Sequence, residues 1–257
     1  MRGHVGRVML ARPEQMNTWT PGMEAGLRRQ LLQWAGDNAI RVVLLTGQGS
    51  RAFCAGVDMA SLQAFAAAGR QPQAAERVQG DMAQRYSYLL GIPQPIVCAL
   101  NGAAVGVGLV LALYSDLRIA SHNARLGAVF ARRGLVAEHG IAWLLPRLIG
   151  HAAAADLLLR ARMLTAEEAL RIGLLSAVFD ENGFEDSALA FASDLASGCS
   201  PRATRIIKRQ LVEGLTQSLT QAVHLAEDET VECIASEDFR EGVRHFVEKR
   251  APRFTGS

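Results

Sequence analysis

Thirty consecutive residues, Tyr86–Ser115, carry no charge, and this stretch limits the fold more than any other feature. It either crosses a membrane or forms the centre of a buried core. A spanning helix needs about 20 unbroken apolar residues. Here Pro93, Gln94, Pro95 and Asn101 interrupt the run, and its longest piece free of strongly polar residues, Gly102–Tyr114, is too short. The stretch is a core segment that the rest of the chain must wrap. With 257 residues, 49% hydrophobic and 20% charged, the chain is long enough to bury that segment without disulfides or metal, and too apolar to be disordered.

Charge and cysteine usage narrow the partners. A net charge of +2 gives no electrostatic footprint for nucleic acid or for an anionic membrane surface. Cys54, Cys98, Cys199 and Cys233 lie far apart without a C-x-x-C pair, so neither a zinc ribbon nor a disulfide framework is expected. Met1–Arg12 carries three arginines and no apolar leader core, so no secretory signal is expected and a reducing cytoplasm is the expected location.

Three apolar runs end in turn signals: Val42–Leu45 before Thr46-Gly47, Ile96–Leu100 before Asn101-Gly102, and Leu117–Ala120. Runs without polar alternation suit strands buried on both faces, as in a parallel sheet of an α/β protein. Thr20-Pro21 reads as an N-cap with proline at the first helical position, opening a helix that ends near Gly36. A second helix is expected over about Gln73–Leu90. After residue 140 helical signals dominate, and Ala177–Phe179 is the one short strand expected there. Thr165 and Glu168 form a capping box, and Ser236 is an N-cap followed by acids. Phe239, Val243, Phe246 and Val247 form one apolar stripe, which packs either on the chain's own core or on another subunit. Residues 1–195 read as an α/β core and residues 196–257 as a C-terminal helical region, with no linker between them.

Other chemistries lack their parts. Neither lysine, Lys208 or Lys249, follows glycine, so there is no P-loop; H-E-x-x-H and G-x-S-x-G are also absent. The six histidines form no ligand spacing, and no metal is expected. What the chain does have is glycine after two of its buried strands, in Ala55-Gly56-Val57 and in Gly106-Val107-Gly108. Glycine at the carboxyl end of parallel strands lets backbone approach a ligand closely. Two such turns on adjacent strands would aim two N–H donors at one carbonyl oxygen, an oxyanion hole made of main chain. Each turn alone also reads as a plain tight turn.

Taken in order, Phe53–Asp58, Asn101-Gly102 with Gly106-x-Gly108, Asp116–Ala120, Gly134–Gly140, Leu145–Gly150, Thr165–Ala169 and Phe246–Arg250 resemble the crotonase superfamily of enoyl-CoA hydratases and isomerases. The resemblance implies an α/β fold with a repeated ββα superhelical core and C-terminal helices that build a homotrimer or homohexamer. It implies an acyl-CoA substrate, coenzyme A being part of that substrate and no separate cofactor being required. It also implies that the backbone N–H groups of Val57 and Val107 are the oxyanion donors, and that Ala55, Val57, Gly106, Phe246 and Lys249 contact the CoA thioester. Lys249 reads equally as a solvated helix end. Relatives usually carry more residues before Arg12-Pro13, which implies a first hairpin strand cut short at Met1.

The chain departs from the family pattern where hydratases place two glutamates. Those positions hold Val110 and Phe130, neither of which accepts a proton. Between Asp81 and Asp156 the only carboxylates are Asp116 and Glu138. Asp116 matches a structural aspartate. Glu138 sits where isomerases and a dehalogenase of the family carry a catalytic aspartate, on a glycine-bounded loop suited to a general base; it also reads as a surface glutamate ahead of a helix. His139 either pairs with Glu138 or faces solvent. The resemblance therefore points first to double-bond isomerisation by one carboxylate. An atypical hydratase using Glu138 alone, and a non-catalytic member that binds CoA thioesters, remain the alternatives.

Overall fold

The apolar runs become parallel strands whose successive residues enter two different cores. The computed structural model describes residues 3–58, 63, 67 and 78–257. Its larger sheet has five parallel strands: β1 (Val5–Leu10), β2 (Val42–Gly47), β4 (Ile96–Leu100), β6 (Leu117–Ser121) and β9 (Ala177–Phe179), in that spatial order. On β2, Val43 and Leu45 join the main core while Val42 and Leu44 join a second one. On β4, Ile96, Cys98 and Leu100 face the first core and Val97 and Ala99 the second. Side chains alternate across a strand, so a sheet covered on both faces needs an unbroken apolar run. That is why these segments lack polar alternation.

A second sheet lies alongside, in the order β3 (Ala52–Cys54), β5 (Ala103–Val105), β7 (Arg125–Gly127) and β8 (Met163–Thr165). Its first three strands are parallel, and β8 runs antiparallel to β7. The chain visits the sheets in turn, β2 then β3, β4 then β5, β6 then β7, and α2 (Val107–Leu113) follows β5. This is the expected repeated ββα winding. It has one consequence for function: the ends of β3 and β5 lie side by side.

Helices cover both faces. Helix α1 (Pro21–Ala35) is capped as expected, with the Thr20 hydroxyl accepting the Met23 N–H, and it buries Leu27 and Leu31 on the main core. Helices α3 (Ile141–Ile149), α4 (His151–Arg160) and α5 (Ala166–Arg171) follow, the last behind the Thr165–Glu168 capping box. Helix α6 (Phe184–Gly198) closes the second core with Phe184, Ala188, Ala192 and Ala196, four apart along one stripe. Small residues there let the helix axis approach the sheet.

Helices α7 (Pro201–Glu213), α8 (Leu219–Ile234) and α9 (Glu237–Glu248) complete the chain. One buried lysine fastens α7 to the sheet. The Lys208 ammonium reaches the Asp116 carboxylate at 2.7 Å and the carbonyls of Leu89 and Gln94. Asp116 also accepts the Ile96 N–H at 2.7 Å, so the same carboxylate fixes the start of β4. The stripe of Phe239, Val243, Phe246 and Val247 does not pack on the chain's own core. All four are exposed, Phe246 at 79%. No helix among the described residues is long and apolar enough to cross a membrane.

Two expectations need correction. The helix expected over Gln73–Leu90 lies outside the described residues from 73 to 77. From Val78 onward the chain instead makes two short 3-10 turns, Asp81–Ala83 and Ser87–Leu89. Gly80 enters with φ +96° and Gln84 is extended, and Tyr86, Ser87, Tyr88 and Leu89 are all buried in succession. A surface α-helix buries one face and does not bury four residues running. Strand β8 was also not anticipated, being three residues long and ending on the residue that caps α5.

Candidate active site

The two glycine turns meet. Strands β3 and β5 pair in parallel, with Cys54 opposite Ala104, so Gly56 and Gly106 leave adjacent strand ends. Gly56 has φ +97° and Gly106 φ +55°. A methyl group placed on Gly56 would stand 3.1 Å from the Val105 carbonyl oxygen, and one on Gly106 3.9 Å from the Gly56 Cα. Behind them, a methyl on Gly108 would stand 2.1 Å from the Cys54 oxygen, so only glycine lets α2 lie this close to β3.

Hydrogen bonds fix where each amide points. The Gly56 carbonyl accepts the Trp19 N–H at 2.8 Å. In a trans peptide the N–H of the next residue points the opposite way, so the Val57 N–H faces away from Trp19. The Gly106 carbonyl accepts the Val110 N–H at 3.0 Å, inside the helix. By the same argument the Val107 N–H projects out of the start of α2. Neither amide has a hydrogen-bond partner among the described residues. Among the described residues, then, both turns leave an unpaired N–H donor, and the turns themselves touch.

The loops that carry these turns are tied by two asparagines. Asn101 donates to the carbonyls of Gly49 at 2.6 Å and Ala52 at 3.0 Å, and accepts the Gly47 N–H at 2.9 Å. Asn17 donates to Ala52 and Gln48 from the other side. The Ala55 N–H is spent on the Met16 carbonyl at 3.1 Å, and the Gly106 N–H on that of Gly127 at 3.0 Å.

Val110 and Phe130 sit in the main core, 0% and 6% exposed. Glu138 is half-buried, and its carboxylate makes no hydrogen bond or ion-pair contact with another described residue. His139 takes neither of its expected positions. It has φ +58°, and its ring packs edge-on against Tyr86 with centroids 4.8 Å apart. Burial and the nearby Arg85 charge lower its pKa, outweighing an opposing pull from Glu24, and so favour the neutral imidazole. The Tyr114 hydroxyl donates to the His139 carbonyl at 2.6 Å. A cavity of about 520 Å³ opens beside Tyr114 and Gly140, lined also by Leu90, Trp143 and Leu215.

Sequence reading missed a second carboxylate nearby. Glu24, on α1, accepts hydrogen bonds from Arg85 Nε at 2.7 Å, Arg85 Nη2 at 2.6 Å, Trp19 Nε1 at 3.1 Å and the Tyr86 hydroxyl at 3.3 Å. Burial works to raise its pKa, but these bonds and the Arg85 charge outweigh burial and leave it lowered. With its oxygens occupied, Glu24 is a poor proton acceptor. The signal available was Arg85 itself, the last charge before the uncharged stretch. Cys54 is inert, since burial pushes its thiol up to about 11. Phe246 and Lys249 stand at the end of α9, whose main neighbour within the chain is α8.

Comparison with known proteins fits this architecture. A family model described as enoyl-CoA hydratase/isomerase matches residues 1–257. Over 250 residues the chain is 36% identical to a 1,2-epoxyphenylacetyl-CoA isomerase of Escherichia coli K12, covering 96% of this chain and 93% of that one. It is 35% identical to an (E)-benzylidenesuccinyl-CoA hydratase of Thauera aromatica, covering 99% and 96%. The crystal structure of a putative enoyl-CoA hydratase from Streptomyces coelicolor superposes with a TM-score of 0.88 at 33% identity, covering 99% of this chain and 92% of that one.

Proposed function

This chain belongs to the enoyl-CoA hydratase/isomerase family, and from that premise we propose that it moves a double bond within an acyl-CoA thioester. The thioester oxygen is held by the N–H groups of Val57 and Val107. The Glu138 carboxylate takes a proton from the α-carbon of a 3-enoyl thioester, and the C–H electron pair moves into the conjugated system to leave a dienolate. Glu138 then returns the proton to the γ-carbon, giving the 2-enoyl product with no net gain or loss of atoms. The acyl group beyond the reacting carbons occupies the cavity beside Tyr114 and Trp143.

The observation that carries this reading is the contrast between the carboxylates. Glu24 is saturated by its partners, whereas the Glu138 carboxylate has no partner in contact among the described residues. Val110 and Phe130 fill the two family glutamate positions with buried carbon. A proton shuttle needs one free base, and hydration by the two-carboxylate route needs a second, whose loss typically lowers a rate about 10²–10⁴-fold.

The test is an assay of the purified protein with 2-enoyl-CoA and 3-enoyl-CoA substrates. Double-bond migration that disappears in Glu138→Ala is the expected result. Water addition instead would make the chain an atypical hydratase, and thioester binding without turnover would make it a binding protein. We further propose a homotrimer or homohexamer in which the exposed stripe of α9 lies against another subunit, bringing Phe246 and Lys249 toward bound CoA. Light scattering of the purified chain checks the assembly.

A further inference from the structure

We propose that Asn17 is a positioning residue for the Val57 amide, anchoring the segment that fixes the plane of the Gly56–Val57 peptide. The inference rests on the reading of that amide as an oxyanion donor. Asn17 is fully buried, and its side-chain amide is spent on three main-chain partners. Its Oδ1 accepts the Arg12 N–H at 2.8 Å, and its Nδ2 donates to the carbonyls of Gln48 at 3.0 Å and Ala52 at 2.8 Å. The Asn17 N–H also bonds back to the Arg12 carbonyl at 2.9 Å. One residue thus closes the turn from Arg12 and pins it to the end of β2 and the start of β3.

That turn holds the donor. Just before Asn17, the Met16 carbonyl accepts the Ala55 N–H at 3.1 Å, and just after it the Trp19 N–H donates to the Gly56 carbonyl at 2.8 Å. The Gly56 carbonyl and the Val57 N–H belong to one planar peptide unit, so the bond to Trp19 sets where the N–H points. Gly56, at φ +97°, has the conformational freedom of glycine and does not hold that plane by itself. The restraint comes from the neighbouring segment, and Asn17 is the buried side chain that seats it. The Ala52 carbonyl extends the link, since it also accepts Asn101 Nδ2 at 3.0 Å. Asn101 stands between β4 and β5, ahead of the Gly106 turn, so both donor turns are referred to one shared carbonyl.

The backbone of Asn17 separates two roles. It has φ +51°, following Met16 at φ +54°, and asparagine enters this left-handed region more readily than most residues. Glycine would meet the backbone requirement equally well but would supply none of the three side-chain bonds. Asn17→Gly therefore tests the bonds alone.

The probe is hexanoyl-CoA labelled with carbon-13 at the thioester carbonyl, which has no double bond to move. Hydrogen bonds to the carbonyl oxygen lower its infrared stretching frequency. With wild type the band lies below its position in water, and with Asn17→Gly at saturating probe it moves back toward that position. With a 3-enoyl-CoA substrate kcat falls about 10²-fold, the effect of displacing a catalytic group by about 1 Å. KM changes by less than about threefold, because the weakened interaction is one that strengthens in the transition state. Thermal unfolding checks each protein, and should Asn17→Gly not fold, Asn17→Ser carries the same measurements. A wild-type band no lower than in water overturns the reading of the amides and this inference with it. A lowered wild-type band that is unmoved in the folded variant overturns this inference alone, as does a loss confined to KM or to melting temperature.

Discussion

The hydroxyl of Tyr114 donates to the carbonyl of His139 at 2.6 Å, so the helix that begins at the Val107 amide ends by holding the loop that carries Glu138. Helix α2 has seven residues, about two turns and about 10 Å of rise. This short rigid helix thereby spaces the proposed oxyanion donor from the proposed base. Every residue of α2 is buried, which leaves the spacer little freedom to flex.

Removing that strut should loosen the base without touching the thioester. Tyr114→Phe keeps the ring in its buried place and deletes one hydrogen bond, leaving the His139 carbonyl unpaired at a cost of about 1–3 kcal/mol. Misplacement of a catalytic group by about 1 Å lowers rates on the order of 10²-fold. Steady-state kinetics should therefore show turnover slowed by one to two orders of magnitude, with little change in KM. An unchanged kcat would show that the loop is held by something else.

Glycines 106 and 108 should fail in different ways. At Gly106 a methyl group finds room, its nearest contact being 3.9 Å away, but φ +55° with ψ −118° suits no L residue and costs about 1–3 kcal/mol. Gly106→Ala should fold while re-aiming the Val107 amide, and loss of one such donor lowers kcat about 10²–10³-fold. At Gly108 the methyl would strike the Cys54 carbonyl at 2.1 Å, and backbone cannot yield that far. Gly108→Ala should therefore lower the melting temperature far more than Gly106→Ala does. Equal melting temperatures would contradict the assignment of separate roles.

How much of this was legible in sequence follows from the range of the interactions. The double-faced burial of β2, β4 and β6 was readable because it is written in consecutive residues. So were the caps at Thr20, Thr165 and Ser236, which involve partners three positions on. Glu24 meets Arg85 across 61 positions and Tyr86 across 62, and no local spacing announces such a pair. Tyr114 to His139 was hidden for a second reason, since its acceptor is a backbone atom that any residue type supplies. The segment before β4 was misread as helix because its apolar residues are dense enough to fit a helical period, although they are buried in succession.

The buried lysine gives a test of the fold rather than the site. Lys208 is 5% exposed, and burial lowers its pKa against the opposing pull of Asp116. Lys208→Met should destabilise by about 3–5 kcal/mol because it strands the Asp116 carboxylate. The double variant Lys208→Met, Asp116→Asn removes that charge and should recover part of the loss. Urea unfolding of the three proteins measures this. If the double variant is as unstable as the single one, the lysine's contacts to the Leu89 and Gln94 carbonyls matter more than the ion pair.

Acid should loosen the C-terminal helix through one carboxylate. Glu241 on α9 accepts both terminal nitrogens of Arg250 and the Arg253 N–H at 2.8 Å. The Arg250 hydrogen bonds, chiefly, hold its pKa down at about 2, against an ordinary value of 4.5. A folded-state pKa below the unfolded one means that stabilisation is complete above the unfolded value and fades as pH falls toward the folded one. Wild-type stability should therefore decline between about pH 4.5 and about pH 2, in part through this group. Glu241→Gln should be less stable at neutral pH and show a shallower decline across that window. Urea midpoints taken at intervals of pH for both proteins decide it, and parallel curves would mean that Glu241 is not the group that titrates.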